Sequence, residues 1–437
     1  MNIERITGTF RALKNRNYRL FFTGQGISLI GTWMQQVAVS WLIYRLTGSA
    51  FMLGAVSFCT QVPSLIIFPL AGILADRLDR RRLLIATQLG ALLQAFFLAV
   101  LVVSGTIAVW HIIGLSIFMG IVNAFDMPVR QSFVVEMVDR REDLGNAIAL
   151  NSTLFNGARL IGPTAAGVII SLLGEGACFL INAVSYIAVI AALMRISVSA
   201  VRKYQPAGNT LSEIIAGTKY TFGFPPIRSI IILLAVISFA GMPYMVLMPV
   251  FAKTVLHGDA NTLGLLTGFG GMGALAGALY LASRQTVVGL ERLISVSAVS
   301  FGICLCLFSV SGILPLSLAL VVLTGFSIIN AMASSNTLIQ TIVKDSMRGR
   351  VMAFFNVAFF GFAPFGSIAA GSLTEIFGPK LVVFACGCIT ILGALIFTLG
   401  LPRISKIVHH VYVRKGIIPE IAIGLQDADS ATELQKE

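Results

Sequence analysis

Two charged residues four positions apart, Asp126 and Arg130, interrupt a long apolar segment. The neutral stretch before Asp126, residues 112–125, is shorter than the about 20 residues that a membrane-crossing helix needs, so the helix must continue toward Gln131. Positions i and i+4 share one helix face. Because burial disfavours a charged carboxylate and a nearby arginine favours it, the pair could bind and release a proton. The alternative is a local structural ion pair, with Pro128 kinking the helix.

Arg159 is the only charged residue between Asp143 and Glu175 and lies midway between them. A charge at this depth is costly unless it faces the interior of a helix bundle or a wet cavity. Arg159 could therefore anchor an anionic group of a bound molecule or pair with a carboxylate. A fixed structural ion pair that holds its helix in place is the alternative.

Two apolar segments carry polar residues on one side, and such faces can contact the polar groups of a bound molecule. At 100° per residue the first face, which Ser40 extends, spans about 120°, and the second, which Thr341 extends, spans about 60°. The same side chains can instead form hydrogen bonds between helices. We take them as candidates for binding: Gln25, Ser28, Thr32 and Gln36 in the first segment, and Asn330, Ser334 and Thr337 in the second.

Composition identifies the environment that must position these residues. The 437-residue chain is 57% hydrophobic and 11% charged, with a mean hydropathy of +0.90, whereas soluble proteins have about 25% charged residues. Backbone groups in lipid must be paired within the chain, so each apolar run predicts a helix. We predict an all-α membrane protein with twelve transmembrane helices, at residues 18–46, 50–75, 83–105, 108–132, 144–173, 176–197, 226–252, 262–282, 292–313, 315–341, 349–375 and 379–401.

The basic residues predict the orientation of these helices. With both termini in the cytoplasm, all but four of the 31 Lys and Arg residues lie in cytoplasmic segments; the four are Arg45, Arg159, Lys253 and Lys380. Cytoplasmic loops of membrane proteins carry such an excess of positive charge. We therefore expect a multi-pass protein of the cytoplasmic (inner) membrane. The net charge of +12 then reflects loops that face anionic lipid, and no nucleic-acid partner is expected.

The chain repeats itself at a spacing near 205 residues. Small residues recur with a shift of 204: Gly145, Gly162, Ala166, Gly167 and Gly174 fall on Gly349, Gly366, Ala370, Gly371 and Gly378. Such a repeat predicts two pseudo-symmetric six-helix bundles with the substrate handled between them. The expected parts are an N-terminal bundle (1–197), a cytoplasmic linker (198–225) with a helix at 211–224, a C-terminal bundle (226–401) and a cytoplasmic tail (402–437).

The segment "GILADRLDRRR" (72–82) resembles the motif G-x-L-x-D-R-x-G-R-R between the second and third helices of the major facilitator superfamily. Asp79 replaces the second glycine of that motif. The stretches "GISLIGTWMQQVAVSWLIYRLTGSAFMLG", "NAFDMPVRQSFVVEMVDRREDLGNAIALNS" and "NGARLIGPTAAG" are similar to its drug and siderophore efflux branch, which includes enterobactin exporters and macrolide-efflux proteins. The resemblance covers about residues 10–400.

This resemblance implies the major facilitator fold and export of a small amphipathic molecule, a siderophore or a drug-like compound, by alternating access with proton antiport. It also implies a cytoplasmic latch between the halves, formed by Gly72, Asp76, Arg77, Arg80 and Arg81. "GARLIGPTAAG" partly resembles the antiporter motif G-P-x-x-G-G, with matches at Gly162, Pro163 and Gly167 and with Ala166 in place of a glycine.

Several function classes find no support in the sequence. It has no phosphate-binding loop of the G-x-x-x-x-G-K-[ST] type, no enzyme-like constellation, and six cysteines that we assign to helix packing. We expect no cofactor and no metal, and we expect a monomer in the bilayer that binds a small molecule and protons. Two alternatives remain: a lipid or lysophospholipid flippase of the same fold, and a sensor or assembly protein that transports nothing.

Replacement of Asp76 by alanine tests the expected latch. A carboxylate at the membrane edge can accept hydrogen bonds from the free N–H groups of a helix N-terminus, and Leu281 stands at the corresponding place in the second half. Asp76→Ala should therefore slow turnover and shift the protein toward inward-facing states, as measured by transport and by distances between spin labels. Unchanged transport and unchanged conformer populations would leave the loop as a topology signal alone.

Overall fold

The computed structural model describes residues 11–138, 141–196, 210–284 and 286–418, without the side chains of residues 68–77, 135, 141 and 210–214. This part of the chain is helical almost throughout. The helices are α1 (Arg16–Thr47), α2 (Ala50–Arg77), α3 (Arg80–Val103), α4 (Val109–Glu136), α5 (Arg141–Leu173), α6 (Glu175–Arg195), α7 (Thr210–Gly223), α8 (Pro225–Val236), α9 (Ala260–Ser283), α10 (Leu290–Val310), α11 (Leu314–Ile342), α12 (Arg348–Asn356), α13 (Ala363–Leu399) and α14 (Leu401–Arg414).

Ten helical segments of the described residues are long and apolar enough to cross a membrane. One of them, Asp345–Leu399, counts as a single segment although Gly378 breaks it with a φ of 78°. Helix α1 is not among the ten, because residues such as Gln25, Gln35 and Gln36 lower its apolar content. Every expected span nevertheless overlaps a helix.

The expected span at 226–252 is not a regular helix. After α8 the chain forms a π turn (Ile237–Gly241), a 3-10 turn (Met242–Met245), one α turn (Met248–Val250) and a second π turn (Phe251–Val255). Pro243 and Pro249 lie in this segment, and a proline inside a helix removes one backbone hydrogen bond and clashes with the preceding turn. We call residues 237–255 the interrupted segment.

A matching π turn precedes α13, at Val357–Gly361. The two π turns contact each other, since the Ser238 hydroxyl donates a hydrogen bond of 2.5 Å to the carbonyl oxygen of Phe359. A π turn leaves backbone carbonyls without regular helical partners, and Ser238 provides one of the missing donors. This contact joins the interrupted segment to the π turn between α12 and α13.

The helices end at two faces of the molecule. We call the face where Arg80 and Arg81 contact Glu136 and the end of α6 the basic end. At the other face Arg45 pairs with Glu175, a Cβ at Gly176 would meet Val103, and Glu375 binds Ser49; we call this face the opposite end. Helix α7 packs on α12 at the basic end, where Phe222 and Phe354 are edge to face with centroids 6.0 Å apart.

The C-terminal tail begins with a helix that the sequence reading did not predict. Helix α14 buries Ile404, Val408 and Tyr412, which lie on one face because they are four residues apart. The Tyr412 hydroxyl donates to the carbonyl oxygen of Val287 at 3.0 Å, and the Ser405 hydroxyl donates to Glu291 at 2.9 Å. The tail is therefore held against α10 and the turn that precedes it.

Helix α9 packs closely on two sides because of its glycines. A Cβ at Gly264 or Gly271 would come within 2.6 Å of the carbonyl oxygens of Pro163 and Arg159 on α5. On the other side, Gly273 and Gly277 contact α11 in the same way. Small residues at these positions allow the backbones to touch.

We predict that Gly273→Ala destabilises the fold. The added methyl group would overlap the carbonyl oxygen of Val322, and overpacking of this kind typically costs about 1–3 kcal/mol. The apparent Tm in detergent should therefore fall by a few degrees. Gly114→Ala in α4 is the matched control, because a Cβ there meets nothing within 4 Å and alanine favours helix. A Tm for Gly273→Ala equal to that of Gly114→Ala would contradict this account of the packing.

Candidate functional site

Two adjoining cavities lie among the helices. The larger has a volume of about 350 Å³ and is lined by residues of α1, α2, α3, α4, α9 and the interrupted segment. The smaller, of about 260 Å³, is enclosed by α1, α3, α4, α5 and α6. The two cavities share five of their lining residues: Thr32, Trp33, Gln36, Met119 and Asn123. Together they form a continuous candidate binding region.

The polar face predicted for the first segment does line this region. Gln25 and Ser28 line the smaller cavity, whereas Thr32 and Gln36 line both. The Thr32 hydroxyl donates to the carbonyl oxygen of Ser28 at 2.9 Å and shares a 3.3 Å hydrogen bond with the Tyr186 hydroxyl. Gln36 is exposed, so its amide can contact a bound molecule.

The second predicted polar face lies elsewhere. Asn330 and Ser334 are fully buried and line neither of the two cavities. The Asn330 amide donates to the Phe326 carbonyl at 2.9 Å and lies against Gly277 of α9. Asn330 Oδ1 and Ser334 Oγ have no hydrogen-bond partner among the described residues. Thr337 is also absent from the walls of both cavities.

Asp126 lies in the wall of the smaller cavity and is 3% exposed. Arg130, one turn further along α4, forms an ion pair with Asp126 Oδ2. The other carboxylate oxygen accepts hydrogen bonds from Thr87 at 2.9 Å and from Gln88 at 2.6 Å. Hydrogen bonds to an ionised acceptor are stronger than neutral ones. The arrangement holds the carboxylate through α3 and α4 together.

Arg130 keeps access to the cavity while it binds Asp126. Its side chain is 27% exposed, and both residues line the smaller cavity. The structure thus pairs Asp126 with Arg130 and not with Arg159. A proton or an anion that enters this cavity can reach both partners of the pair.

Arg159 has no carboxylate partner in the described part of the chain. Its guanidinium lies 5.5 Å from the centre of the Trp33 ring, and one amino group contacts Met245 Sδ at 3.9 Å. Its Nε is buried and has no hydrogen-bond partner. Trp33 and Met245 both line the larger cavity, so the cation lies directly behind the cavity wall.

The loop that resembles the superfamily motif is described only in part. The side chains of Gly72, Asp76 and Arg77 lie outside the described ones. Arg80 forms an ion pair with Glu136 of α4, and Arg81 donates to the carbonyl oxygens of Leu193 and Met194 at the end of α6. Cations at a helix C-terminus complement its dipole. These two arginines therefore join α3 to α4 and α6.

Asp79, which departs from the motif, has a local role. Its carboxylate accepts from the backbone N–H of Arg82 at 2.9 Å and so forms the N-cap of α3. Aspartate is a favoured N-cap residue because it satisfies a free N–H of the first turn. The replacement of glycine here strengthens the start of α3.

The antiporter-type motif places α5 between two neighbours. A Cβ at Gly162 would come within 2.6 Å of Trp33 Cβ on α1, and one at Gly167 would come within 2.9 Å of Asn261 Cα on α9. The carbonyl oxygen of Pro163 faces Gly264 of α9. Both glycines are thus required for close packing on opposite sides of α5.

Several polar residues of the cavity were not predicted. Gln35 donates to Gln94 at 2.7 Å and accepts from Asn182 at 2.8 Å, which links α1, α3 and α6. Isolated amides in otherwise apolar helices are the signal that could have identified them. The further polar lining residues are Ser57, Thr60, Gln61, Ser116, Asn123 and Thr267.

Known proteins resemble this chain over most of its length. The staphyloferrin A transporter of Staphylococcus aureus is 28% identical over 87% of this chain and 95% of its own. The multidrug efflux pump Tap of Mycolicibacterium fortuitum is 25% identical over 88% and 93%, respectively. The crystal structure of a point mutant of the nucleoside transporter NupG matches with a TM-score of 0.66 at 15% identity, over 89% of this chain and 99% of the NupG chain.

The family comparison is broader than any single relative. A family model described as "Transmembrane secretion effector" matches residues 7–411, which contain every cavity-lining residue described above. Among the described residues, no group of three or more His, Cys, Asp or Glu side chains could hold a metal ion. The chain belongs to the transmembrane secretion effector family, within the major facilitator superfamily.

Proposed function

We propose that this protein is a secondary active transporter that exports a small amphipathic molecule, a siderophore or a drug-like compound, by proton antiport and alternating access. The observation that carries this proposal is the polar cavity pair, with Arg159 half-buried beside its wall and Asp126 in it. The staphyloferrin A transporter and the multidrug efflux pump Tap, which this chain resembles, support the substrate class, and efflux by Tap also supports the direction of transport.

We propose twelve transmembrane helices in two bundles, as the repeat predicts. The segment Asp345–Leu399 has 55 residues, and as one straight helix it would extend about 80 Å, far more than the about 30 Å of the hydrocarbon core. Two crossings that meet at Gly378 fit this length, and α1 supplies the twelfth. The N-terminal bundle then spans residues 1–197 and the C-terminal bundle 226–401, joined by the linker 198–225 and followed by the tail 402–437.

The concentration of positive charge supports a cytoplasmic location for the basic end. Both termini and helices α7 and α14 are then cytoplasmic, the opposite end faces the outside, and the membrane is the inner membrane of the cell. We propose that the transporter works as a monomer, since the cavities lie within one chain.

Contacts between the proposed bundles support alternating access. They are concentrated toward the opposite end, where Gly167 meets Asn261, Gly371 meets Ala50 and Gly54 meets Ser367 at backbone distance. These contacts close the cavities toward the outside. For export, the opposite end must open while the basic end closes, so that the same cavity faces the two sides of the membrane in turn.

Asp126 is the proposed proton carrier. With the carboxylate ionised, Arg130, Thr87 and Gln88 all bind it. Protonation of the carboxylate would remove the negative charge that holds Arg130 and that a hydrogen-bond donor or cation of the substrate could also bind. Proton uptake and substrate binding would in this way compete for the same carboxylate, as antiport requires.

Arg159 is the proposed anchor for an anionic group of the substrate, together with the polar lining Gln25, Ser28, Thr32 and Gln36. Asn330, Ser334 and Thr337 could join this site only in a conformation in which α11 turns toward the cavity. Trp33 and Met245 separate the guanidinium from the larger cavity. A modest movement of either side chain would expose the cation to a ligand.

Replacement of Arg159 tests the anionic anchor. Since a hydrogen bond to a charged group contributes about 1.5–3 kcal/mol, Arg159→Gln should raise the Kd of a carboxylate-bearing substrate roughly 10- to 100-fold, and Arg159→Lys should raise it less. Binding is measured by tryptophan quenching, since Trp33 lies beside the site. The control ligand is the same molecule with its carboxylates esterified. An equal loss of affinity for both ligands would show that Arg159 has a structural role only.

Replacement of Asp126 tests the coupling. Asp126→Asn should abolish accumulation driven by a pH gradient in proteoliposomes and leave substrate exchange without a gradient in place, because the amide cannot carry a proton. Glu142→Gln is the control, since that side chain is exposed at the basic end. Coupled transport at full rate by Asp126→Asn would exclude this assignment.

Proteoliposomes with siderophores, macrolides and lysolipids as test substrates decide between the proposed function and the two alternatives. Movement of lysolipids alone would identify a flippase. Binding without movement of any substrate would identify a sensor.

A further inference from the structure

Glu375 of α13 lies beside the first turn of α2, more than 300 residues away in sequence. One oxygen of its carboxylate accepts hydrogen bonds from the Ser49 hydroxyl at 2.6 Å and from the backbone N–H of Phe51 at 3.0 Å. Phe51 is the second residue of α2, so its N–H is one of the donors that a helix leaves unpaired at its start. Glu375 therefore caps a helix of the other half.

Ser49 completes this cap from the α2 side. Its hydroxyl oxygen accepts from the backbone N–H of Met52 at 3.2 Å, while its hydrogen is donated to Glu375. One serine and one carboxylate from opposite halves thus satisfy successive N–H groups of the same helix turn. A negative charge at this position is also favoured by the dipole of α2.

The helices below the cap touch at backbone distance. A Cβ at Gly371, one turn before Glu375, would come within 2.6 Å of the carbonyl oxygen of Ala50. A Cβ at Gly54, one turn after Ala50, would come within 2.5 Å of the carbonyl oxygen of Ser367. The cap and the two glycines therefore form one contact between α2 and α13 at the opposite end.

Other carboxylates at this end act within one half of the chain. Glu175 at the start of α6 forms an ion pair with Arg45 of α1 at 2.7 Å, and Asp259 caps α9 through Asn261 and Thr262. Among the described carboxylates named here at this end, Glu375 is the one that joins helices of the two halves. Removal of the Glu375 carboxylate should therefore weaken the contact between the halves and leave the packing within each bundle unchanged.

We propose that Glu375 is the positioning residue that holds the opposite end closed, as an N-cap supplied to α2 from the other half. This proposal rests on the alternating access proposed above. When the opposite end opens, the N–H of Phe51 and the Ser49 hydroxyl lose their carboxylate partner. The cap therefore stabilises the closed arrangement relative to the open one, and it sets how often the cavity faces the outside.

The test measures how readily the cavity is reached from each side of the membrane. Thr60 lines the larger cavity, and Thr60→Cys in a chain without its six native cysteines reports access to a membrane-impermeant maleimide. In vesicles that expose the opposite end, Glu375→Ala should raise the labelling rate roughly three- to tenfold, the range expected for loss of a carboxylate cap. In vesicles of inverted orientation the rate should fall.

Companion variants separate this role from a general loosening of the structure. Glu375→Gln keeps an oxygen acceptor without the charge and should give an intermediate rate, and Ser49→Ala should also raise the rate. Glu175→Gln is the matched control, since it alters a carboxylate at the same end within one half and should leave the rate within about twofold. The apparent Tm in detergent should be alike for Glu375→Gln and the parent chain.

Two results would overturn the proposal: an unchanged rate in Glu375→Ala, or an equal rise in Glu375→Ala and Glu175→Gln. Transport is measured separately in proteoliposomes with the parent chain. If the labelling changes as expected while no substrate moves, the cap is supported and the transport function fails. If substrate moves and labelling is unchanged, the transport function stands and the cap fails.

Discussion

Backbone contact between α5 and α9, and between α2 and α13, is the constraint on which the rest of the structure depends. In an apolar solvent no hydrophobic force drives helices together, so close packing and polar contacts must hold them. Glycines at Gly264, Gly271 and Gly54 bring these backbones within contact distance. The two contacts run from the middle of these helices toward the opposite end, and there they join α5 to α9 and α2 to α13.

Asp126 and Arg159, the buried and the half-buried charge within the N-terminal helices, differ in their partners. Asp126 is bound by three side chains, one of them a cation, and it can give up these partners only if its charge changes. Arg159 has an aromatic ring and a sulfur atom for neighbours and a buried Nε without a partner. A ligand that places an anionic group beside this unpaired guanidinium therefore gains a favourable electrostatic interaction. One site is thus suited to respond to protons and the other to a ligand.

The sequence predicted the positions of the helices well, because long apolar runs can satisfy their backbone only as helices. It also predicted the polar face of α1, since Gln25, Ser28, Thr32 and Gln36 repeat at helical spacing. The same spacing holds for Asn330 and Ser334, yet neither lines the cavities, and Asn330 packs against α9. Periodicity shows that a helix has a polar face but not which element that face contacts. For α11 the contact is with α9, because Gly277 allows Asn330 to approach closely. The interrupted segment was missed because Pro243 and Pro249 are compatible with a kinked but continuous helix.

Contacts between distant parts of the chain lie beyond any local pattern. The Thr87 and Gln88 partners of Asp126 come from a neighbouring helix, and those of Glu375 come from the other half of the chain. At the opposite end, Glu375 places a carboxylate at the N-terminus of a helix in the other half. The superfamily motif is expected to make the same kind of contact at the basic end. In the motif the carboxylate belongs to the N-terminal half, whereas here it belongs to the C-terminal half. Under the proposed alternating access, the cap of Glu375 would form when the opposite end is closed, and the expected latch of the motif would form when the basic end is closed.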